Sequence, residues 1–316
     1  MKVFVRAPIH EDAVALLRAD SRIETITWDQ PEAANWEEEA DAVILRGTNI
    51  SGEEIQRAAK LKVIGRHGAG VDAVDLSAAE AKGIKVMNTP FENSQSVAEL
   101  AVGFMLAAGR RMRENSNYVT NNQWSEGRKG KGCVELHGKT VGFVGFGRIA
   151  QIAANILRQG FAAKIVAYDP FVPEAAWLEM ADEVVCCTSL KELFSLASYV
   201  SIHVPITKDT AGFINADVFA AASKGLILVN TSRGGVVDEK ALYDAMVNGT
   251  VAAAASDVFE IEPADPENIL FSLPNFLGTS HYGGATNDCL RRVATKIATE
   301  TVAALFNEED PAYRYL

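Results

Sequence analysis

Residues Val141 to Ala150 read V-G-F-V-G-F-G-R-I-A, and no other stretch limits the fold as tightly. A run of Val, Gly and Phe that suits a buried strand ends at Gly145 and Gly147, and a helical pattern then begins with Ala150 in its first turn. Gly145 permits a tight turn, Gly147 lets a ligand approach the backbone, and Ala150 is small enough for close helix–strand packing. A helix opening there offers free N–H groups and the positive end of its dipole to a phosphate. About 140 residues precede this turn, room for a complete domain in front of it.

The rest of the chain alternates short apolar runs with amphipathic stretches, the pattern of βα units around a parallel sheet. With 316 residues, two domains of ~150 residues each are expected. Strands are predicted at Lys2-Ala7, Ala42-Arg46, Lys62-Gly65 and Lys85-Asn88, then one long helix from Ser94 to Arg113 with Ser94 or Ser96 as its cap. A polar, glycine-rich loop follows between Tyr118 and Leu136, with Arg128, Lys129 and Lys131 in it. A second series of strands runs Thr140-Val144, Lys164-Tyr168, Glu183-Thr188, Tyr199-Val204, Gly225-Asn230, Ala252-Asp257 and Asn275-Gly278, closed by a helix from Asp288 to Phe306.

The strand after the glycine turn ends in Asp169, 24 residues beyond Gly145. A carboxylate there accepts hydrogen bonds from ribose hydroxyls and repels a 2′-phosphate. Pro170 and Phe171 come next, with no arginine to welcome NADP, so the expected cofactor is NAD. Asp before Pro also starts turns, and that plainer reading competes only if the glycine pattern is accidental.

Charge and composition narrow the partners. A formal net charge of −11 disfavours nucleic acid and anionic lipid, and an anionic substrate needs local arginines. Nothing at the N-terminus reads as a signal peptide and no apolar stretch is long enough to span a bilayer, so a cytoplasmic protein is expected. Cys133, Cys186, Cys187 and Cys289 lack metal-site spacing and are expected to be buried reduced thiols, with no metal bound.

Three later segments each put a polar residue just past a strand end, where doubly wound sheets bind ligands: N-T-S-R-G-G-V-V-D (Asn230-Asp238), S-D-V-F-E-I-E-P (Ser256-Pro263) and G-T-S-H-Y-G-G-A-T (Gly278-Thr286). Together with the glycine turn and H-V-P-I-T-K-D-T, this set resembles the D-isomer-specific 2-hydroxyacid dehydrogenases over nearly the whole chain. The resemblance implies an α/β protein in which a Rossmann-type NAD domain (99-284) is inserted into a flavodoxin-like substrate domain (1-98 and 285-316), both doubly wound parallel sheets. It implies that Arg233 holds the substrate carboxylate and polarises the C2 oxygen, that His281 is the acid-base group, and that Glu262 pairs with His281. These residue types suit hydride transfer at C2, because a planar guanidinium holds a carboxylate bidentately and histidine exchanges protons near neutrality. The resemblance also places Arg148 and Ile149 at the pyrophosphate, Val204 near the adenine, Thr231 and Ser232 by the nicotinamide and Asp257 facing the carboxamide, and it counts His281 and Gly283 among the cofactor contacts.

R-H-G-A-G-V-D (Arg66-Asp72) resembles the family loop whose amides take the substrate carboxylate, through Gly68, Ala69 and Gly70. N-T-P-F-E-N-S-Q-S-V-A-E-L (Asn88-Leu100) is most similar to the 3-phosphoglycerate dehydrogenase branch of serine synthesis, which implies a phosphate bound by Arg46, Arg66 and Asn93. The two arginines equally suit the plainer role of flanking strand ends, and His67 is left unassigned. Two departures stand out: Glu92 sets an acid where it would repel a phosphate, and Tyr282 follows the histidine where an aliphatic residue is usual. The serine-binding regulatory domain of many members is not expected. Hydroxypyruvate, glyoxylate or a sulfonated hydroxy acid remain alternative substrates. Formate dehydrogenases are disfavoured because they carry glutamine where Glu262 stands. A non-catalytic NAD sensor, similar to corepressors of this fold, is the alternative from another class. A homodimer is implied, with the 118–136 loop crossing between subunits.

Overall fold

Twelve short strands form two separate sheets in which all the strands pair in parallel. The computed structural model describes residues 1–316, and the chain divides into two units, Met1–Ser96 with Gly284–Leu316, and Val97–Gly283.

The first unit holds β1 (Lys2–Val5), β2 (Glu24–Thr27), β3 (Ala42–Leu45), β4 (Val63–Arg66) and β5 (Lys85–Met87) in the order β2-β1-β3-β4-β5. This is the flavodoxin-like order, reversing direction between β1 and β3. β3 is buried at all four positions, as a central parallel strand covered on both faces must be. The helix Asn287–Leu305 returns to this sheet and buries Ala294, Ile297 and Val302 with Val3, Val5, Ile44 and Val63. Gly65 lets it come close, since a Cβ there would sit 2.1 Å from Thr301 Oγ1.

The second unit holds β6 (Thr140–Val144), β7 (Lys164–Tyr168), β8 (Val184–Cys186), β9 (Tyr199–Ile202), β10 (Leu226–Asn230), β11 (Val251–Ser256) and β12 (Phe276–Gly278). Their order, β12-β11-β10-β9-β6-β7-β8, is the dinucleotide-binding order extended by one strand, with the reversal between β6 and β9. Apolar residues on both faces form two core clusters, one around Val200, Ile202 and Leu228, the other around Phe143, Ala153 and Val229. No helix is long and apolar enough to cross a membrane.

Several expectations need correction. The predicted helix 94–113 breaks into Ser94–Gly109 and Met112–Thr120, with Arg111 left-handed at φ 48°. Gly109 packs on the ring of Tyr199, where a Cβ would lie 2.5 Å from the phenol oxygen, and Val134 N–H takes its carbonyl. Neither serine caps as expected: Ser94 Oγ is buried without a hydrogen bond, and Ser96 Oγ lies 3.2 Å from Thr286 Oγ1. The 118–136 stretch is not all loop, since it includes the end of one helix and the short helix Trp124–Gly127. β2 was not foreseen, because its E-T-I-T alternation is too short to stand out. Cys187 and Cys289 are buried, but Cys186 is exposed on the edge strand and Cys133 is half-buried.

Candidate active site

The turn after β6 is built as its sequence demands. Gly145 has φ +84°, and a Cβ there would lie 2.7 Å from both the His203 carbonyl oxygen and Val204 Cγ1. His203 supports this turn from below: its N–H donates to Val144 O, its Nε2 is 2.8 Å from Ser201 Oγ, and its ring stacks on Phe143. Burial lowers its pKa to about 4, so the ring is neutral. Gly147 is exposed with no atom within 4 Å of a Cβ position, and it begins the helix Arg148–Phe161 without any side-chain cap. The first-turn N–H groups therefore face open space, with Arg148 exposed beside them and Ile149 packed on the core. At the end of β7, Asp169 Oδ2 accepts from Phe146 N–H (2.9 Å) and Oδ1 from Phe171 N–H (2.9 Å). The carboxylate thus ties the glycine turn to its own turn, as a turn-starting Asp does. It opens on a groove of about 630 Å³ lined also by Tyr168, Pro170, Trp177, Cys187 and Thr188. An open phosphate cradle, a carboxylate one strand away and an apolar groove fit a dinucleotide.

Because β10, β11 and β12 are neighbours in a parallel sheet, their carboxyl ends bring the three later segments together. Asn230 organises the first: its Oδ1 accepts from Ser232 N–H (3.0 Å) and Oγ (2.8 Å), and its Nδ2 donates to Arg233 O (3.1 Å). Arg233 is half-buried, with Nη1 donating to Ser232 O at 2.8 Å. A Cβ on Gly234 would sit 1.6 Å from the Phe259 carbonyl oxygen, so only glycine lets the arginine turn approach the second segment. Thr231 Oγ1 is buried without a hydrogen bond within the protein.

Asp257, 2% exposed, builds the third segment. Its Oδ1 accepts from Thr279 Oγ1 (2.6 Å) and Tyr282 N–H (3.0 Å), its Oδ2 from Gly283 N–H (2.8 Å), and its carbonyl from His281 N–H (2.8 Å). These bonds hold His281 at φ +55°, a left-handed conformation that a non-glycine residue keeps only when its surroundings fix it. Glu262 Oε1 accepts from Phe259 N–H (3.1 Å), and its Oε2 lies 2.8 Å from His281 Nδ1. The structuring work of Asn230, Asp257 and Thr279 was missed from sequence. The signal was there, since Asn or Asp straight after a strand commonly binds its own turn.

In the first unit, Arg46 and Arg66 lie at the ends of neighbouring strands β3 and β4. Arg46 Nη1 donates to Pro8 O (2.7 Å) and Arg66 Nη1 to His67 O (2.6 Å). The loop expected to offer amides is partly engaged: Gly68 N–H donates to Thr89 Oγ1 (3.0 Å), while the Ala69 and Gly70 amides make no hydrogen bond within the protein. Asn93 Oδ1 is buried without a partner. Glu92 is turned to the chain's last residues, its Oε1 accepting from Tyr313 Oη at 2.9 Å while the Phe91 and Tyr313 rings meet edge to face. The acid that seemed to oppose a phosphate is thus held by a phenol. No three His, Cys, Asp or Glu side chains converge as a metal-binding group.

Residues 102–283 match the family described as D-isomer specific 2-hydroxyacid dehydrogenase, NAD binding domain. The chain is 39% identical to the D-3-phosphoglycerate dehydrogenase of Methanocaldococcus jannaschii over 98% of its own length and 58% of that protein's. It is 38% identical to the hydroxypyruvate reductase of Thermotoga maritima over 97% of this chain and 98% of that one. Among solved structures, a Thermus thermophilus protein superposes with TM-score 0.85 at 30% identity, each chain fully covered. D-lactate dehydrogenase from Aquifex aeolicus, complexed with NAD and lactic acid, superposes with TM-score 0.79 at 26% identity over 98% of this chain and 96% of that one. The chain belongs to the D-isomer specific 2-hydroxyacid dehydrogenase family, and its cofactor is NAD. It spans somewhat over half the length of the phosphoglycerate dehydrogenase of M. jannaschii, 58%.

Proposed function

We propose that the chain reduces a small 2-keto acid to its D-2-hydroxy acid, and the reverse, with 3-phosphohydroxypyruvate and 3-phosphoglycerate as the preferred pair. Bound NADH supplies the hydride for C2. Arg233 holds the substrate carboxylate and polarises the C2 oxygen. His281, its Nδ1 held by Glu262, presents Nε2 to that oxygen and donates the proton that completes the hydroxyl. Gly145, Gly147, Arg148 and Ile149 receive the pyrophosphate, Asp169 the adenosine ribose, Val204 the adenine side, and Thr231, Ser232 and Gly283 the nicotinamide. Residues 97–283 serve as the NAD domain and residues 1–96 with 284–316 as the substrate domain.

The choice of a phosphorylated substrate rests on Arg46 and Arg66, at the same end of neighbouring strands in a chain whose net charge is −11, with Asn93 following the next strand, β5. Two fixed positive charges suit a dianion. Hydroxypyruvate is the second reading, favoured by similarity to the T. maritima reductase along nearly its whole length. NADH consumption with the two keto acids side by side tests the choice. A strong preference for the phosphorylated acid supports it and a place in serine synthesis; preference for hydroxypyruvate rejects it. Turnover of neither, with tight NADH binding, supports the sensor alternative.

The protein is further read as a cytoplasmic homodimer. Met112, Val119 and Trp124 are exposed at 52%, 53% and 65% on consecutive helices, apolar surface of the kind a partner covers. Light scattering after size exclusion tests this, and a monomer at micromolar concentration rejects it.

A further inference from the structure

At the carboxyl edge of the first sheet, four buried polar atoms make no hydrogen bond within the protein: Thr48 Oγ1 after β3, His67 Nε2 after β4, and Asn93 Oδ1 and Ser94 Oγ after β5. These three strands are adjacent and parallel, so the atoms share one end of one sheet with Arg46 and Arg66. Buried polar groups are nearly always paired, and a cluster of unpaired ones calls for a ligand or ordered water. His67 is the outstanding member. It is only 8% exposed, its N–H is fixed to Leu45 O (2.9 Å), and its carbonyl is fixed to Arg66 Nη1 (2.6 Å). Its backbone is therefore held on both sides while Nε2 makes no hydrogen bond within the protein, although the carbonyls of His67 itself and of Leu290 lie near enough to the ring to oppose part of the lowering of its pKa.

We infer that His67 is a specificity-determining residue whose Nε2 hydrogen-bonds the distal phosphate of the substrate between Arg46 and Arg66. The inference rests on the phosphorylated-substrate reading above. Burial first, and then the charges of Arg46 and Arg66, lower the pKa of the ring to about 4. The free protein thus presents two positive charges and one neutral, directional group. That set matches a phosphate dianion without burying a third charge.

The test compares the wild type with His67→Leu, His67→Asn and Arg66→Met, measuring kcat and KM for 3-phosphohydroxypyruvate and hydroxypyruvate, with NADH binding by fluorescence as the control for folding. His67→Leu is expected to raise KM for the phosphorylated acid about tenfold, at least five times more than for hydroxypyruvate, with little change in kcat. His67→Asn, which keeps a hydrogen-bonding group, is expected to recover part of that loss, and it carries the comparison if the leucine variant does not fold. Equal effects on both substrates, or none, overturn the inference. Loss of phosphate preference in Arg66→Met but not in the His67 variants overturns the role of His67 while sparing the substrate reading. A wild type without phosphate preference overturns both.

Discussion

Glu262 Oε2 sits 2.8 Å from Nδ1 of His281, and its other oxygen is anchored by the Phe259 N–H at 3.1 Å. The pair is roughly half exposed, with side-chain exposures of 36% and 48%, so its value lies in aiming the ring rather than in stability. Glu262→Gln keeps the size of the side chain and removes its charge. The expected result is a fall in kcat of about 10- to 100-fold with an unchanged melting temperature. A kcat within twofold of wild type contradicts the assignment.

Gly147 and Gly234 make opposite demands. Nothing lies within 4 Å of a Cβ on Gly147, whereas one on Gly234 meets the Phe259 carbonyl at 1.6 Å. Gly147→Ala should therefore melt as wild type does but bind NADH at least tenfold more weakly, because the methyl enters the space for the pyrophosphate. Gly234→Ala should lose soluble protein or much of its stability. Thermal unfolding with and without NADH separates the two cases.

Asp169 holds two backbone N–H groups and is also the residue proposed to receive the adenosine ribose. Asp169→Ala removes two bonds to backbone N–H groups, so a loss of stability of ~1–3 kcal/mol is expected along with weaker NADH binding and a smaller preference over NADPH. Kd values for the two cofactors check this. If NADPH already binds the wild type as well as NADH, the role of Asp169 is wrong.

Acid should destabilise the protein through two buried histidines. His67 and His203 have pKa values near 4 when folded, against 6.5 when exposed, so between these limits the unfolded chain binds more protons. Stability is then complete above pH 6.5 and lost as pH falls toward 4, by up to about 3 kcal/mol for each ring. Urea unfolding at pH 7.5 and pH 5 measures it. A His203→Phe variant with the same slope as wild type excludes that ring as a source.

Tyr313 Oη donates to one oxygen of Glu92 at 2.9 Å. Tyr313→Phe frees that carboxylate and should raise KM for an anionic substrate several-fold, more at low salt than at high salt. Steady-state kinetics at two ionic strengths test it, and a KM that ignores salt counts against the arrangement.

Much of this was readable in the sequence because strand, glycine turn and helix follow local rules. Lys164–Tyr168 falls where the apolar run predicts it, and Gly145 and Gly147 sit where the spacing puts them. The break at Arg111 was hidden because it depends on Gly109 meeting Tyr199, a contact 90 residues away in sequence. The hub at Asp257 was hidden for a related reason. Its type and position suited a cofactor contact, while its bonds to Thr279, Tyr282 and Gly283 depend on groups that only the folded turn brings near. Glu92 likewise reads as a misplaced charge until the last residues return along β5 to meet it.

His281 is proposed as the proton donor that accompanies hydride transfer from NADH, and replacing it separates that role from cofactor binding. NADH oxidation by the wild type and by His281→Ala is followed at saturating 3-phosphohydroxypyruvate, with NADH binding measured on the same samples. Turnover is expected to fall by about 100-fold or more while NADH binds as before. Turnover within a few-fold of wild type in a variant that binds NADH normally contradicts it.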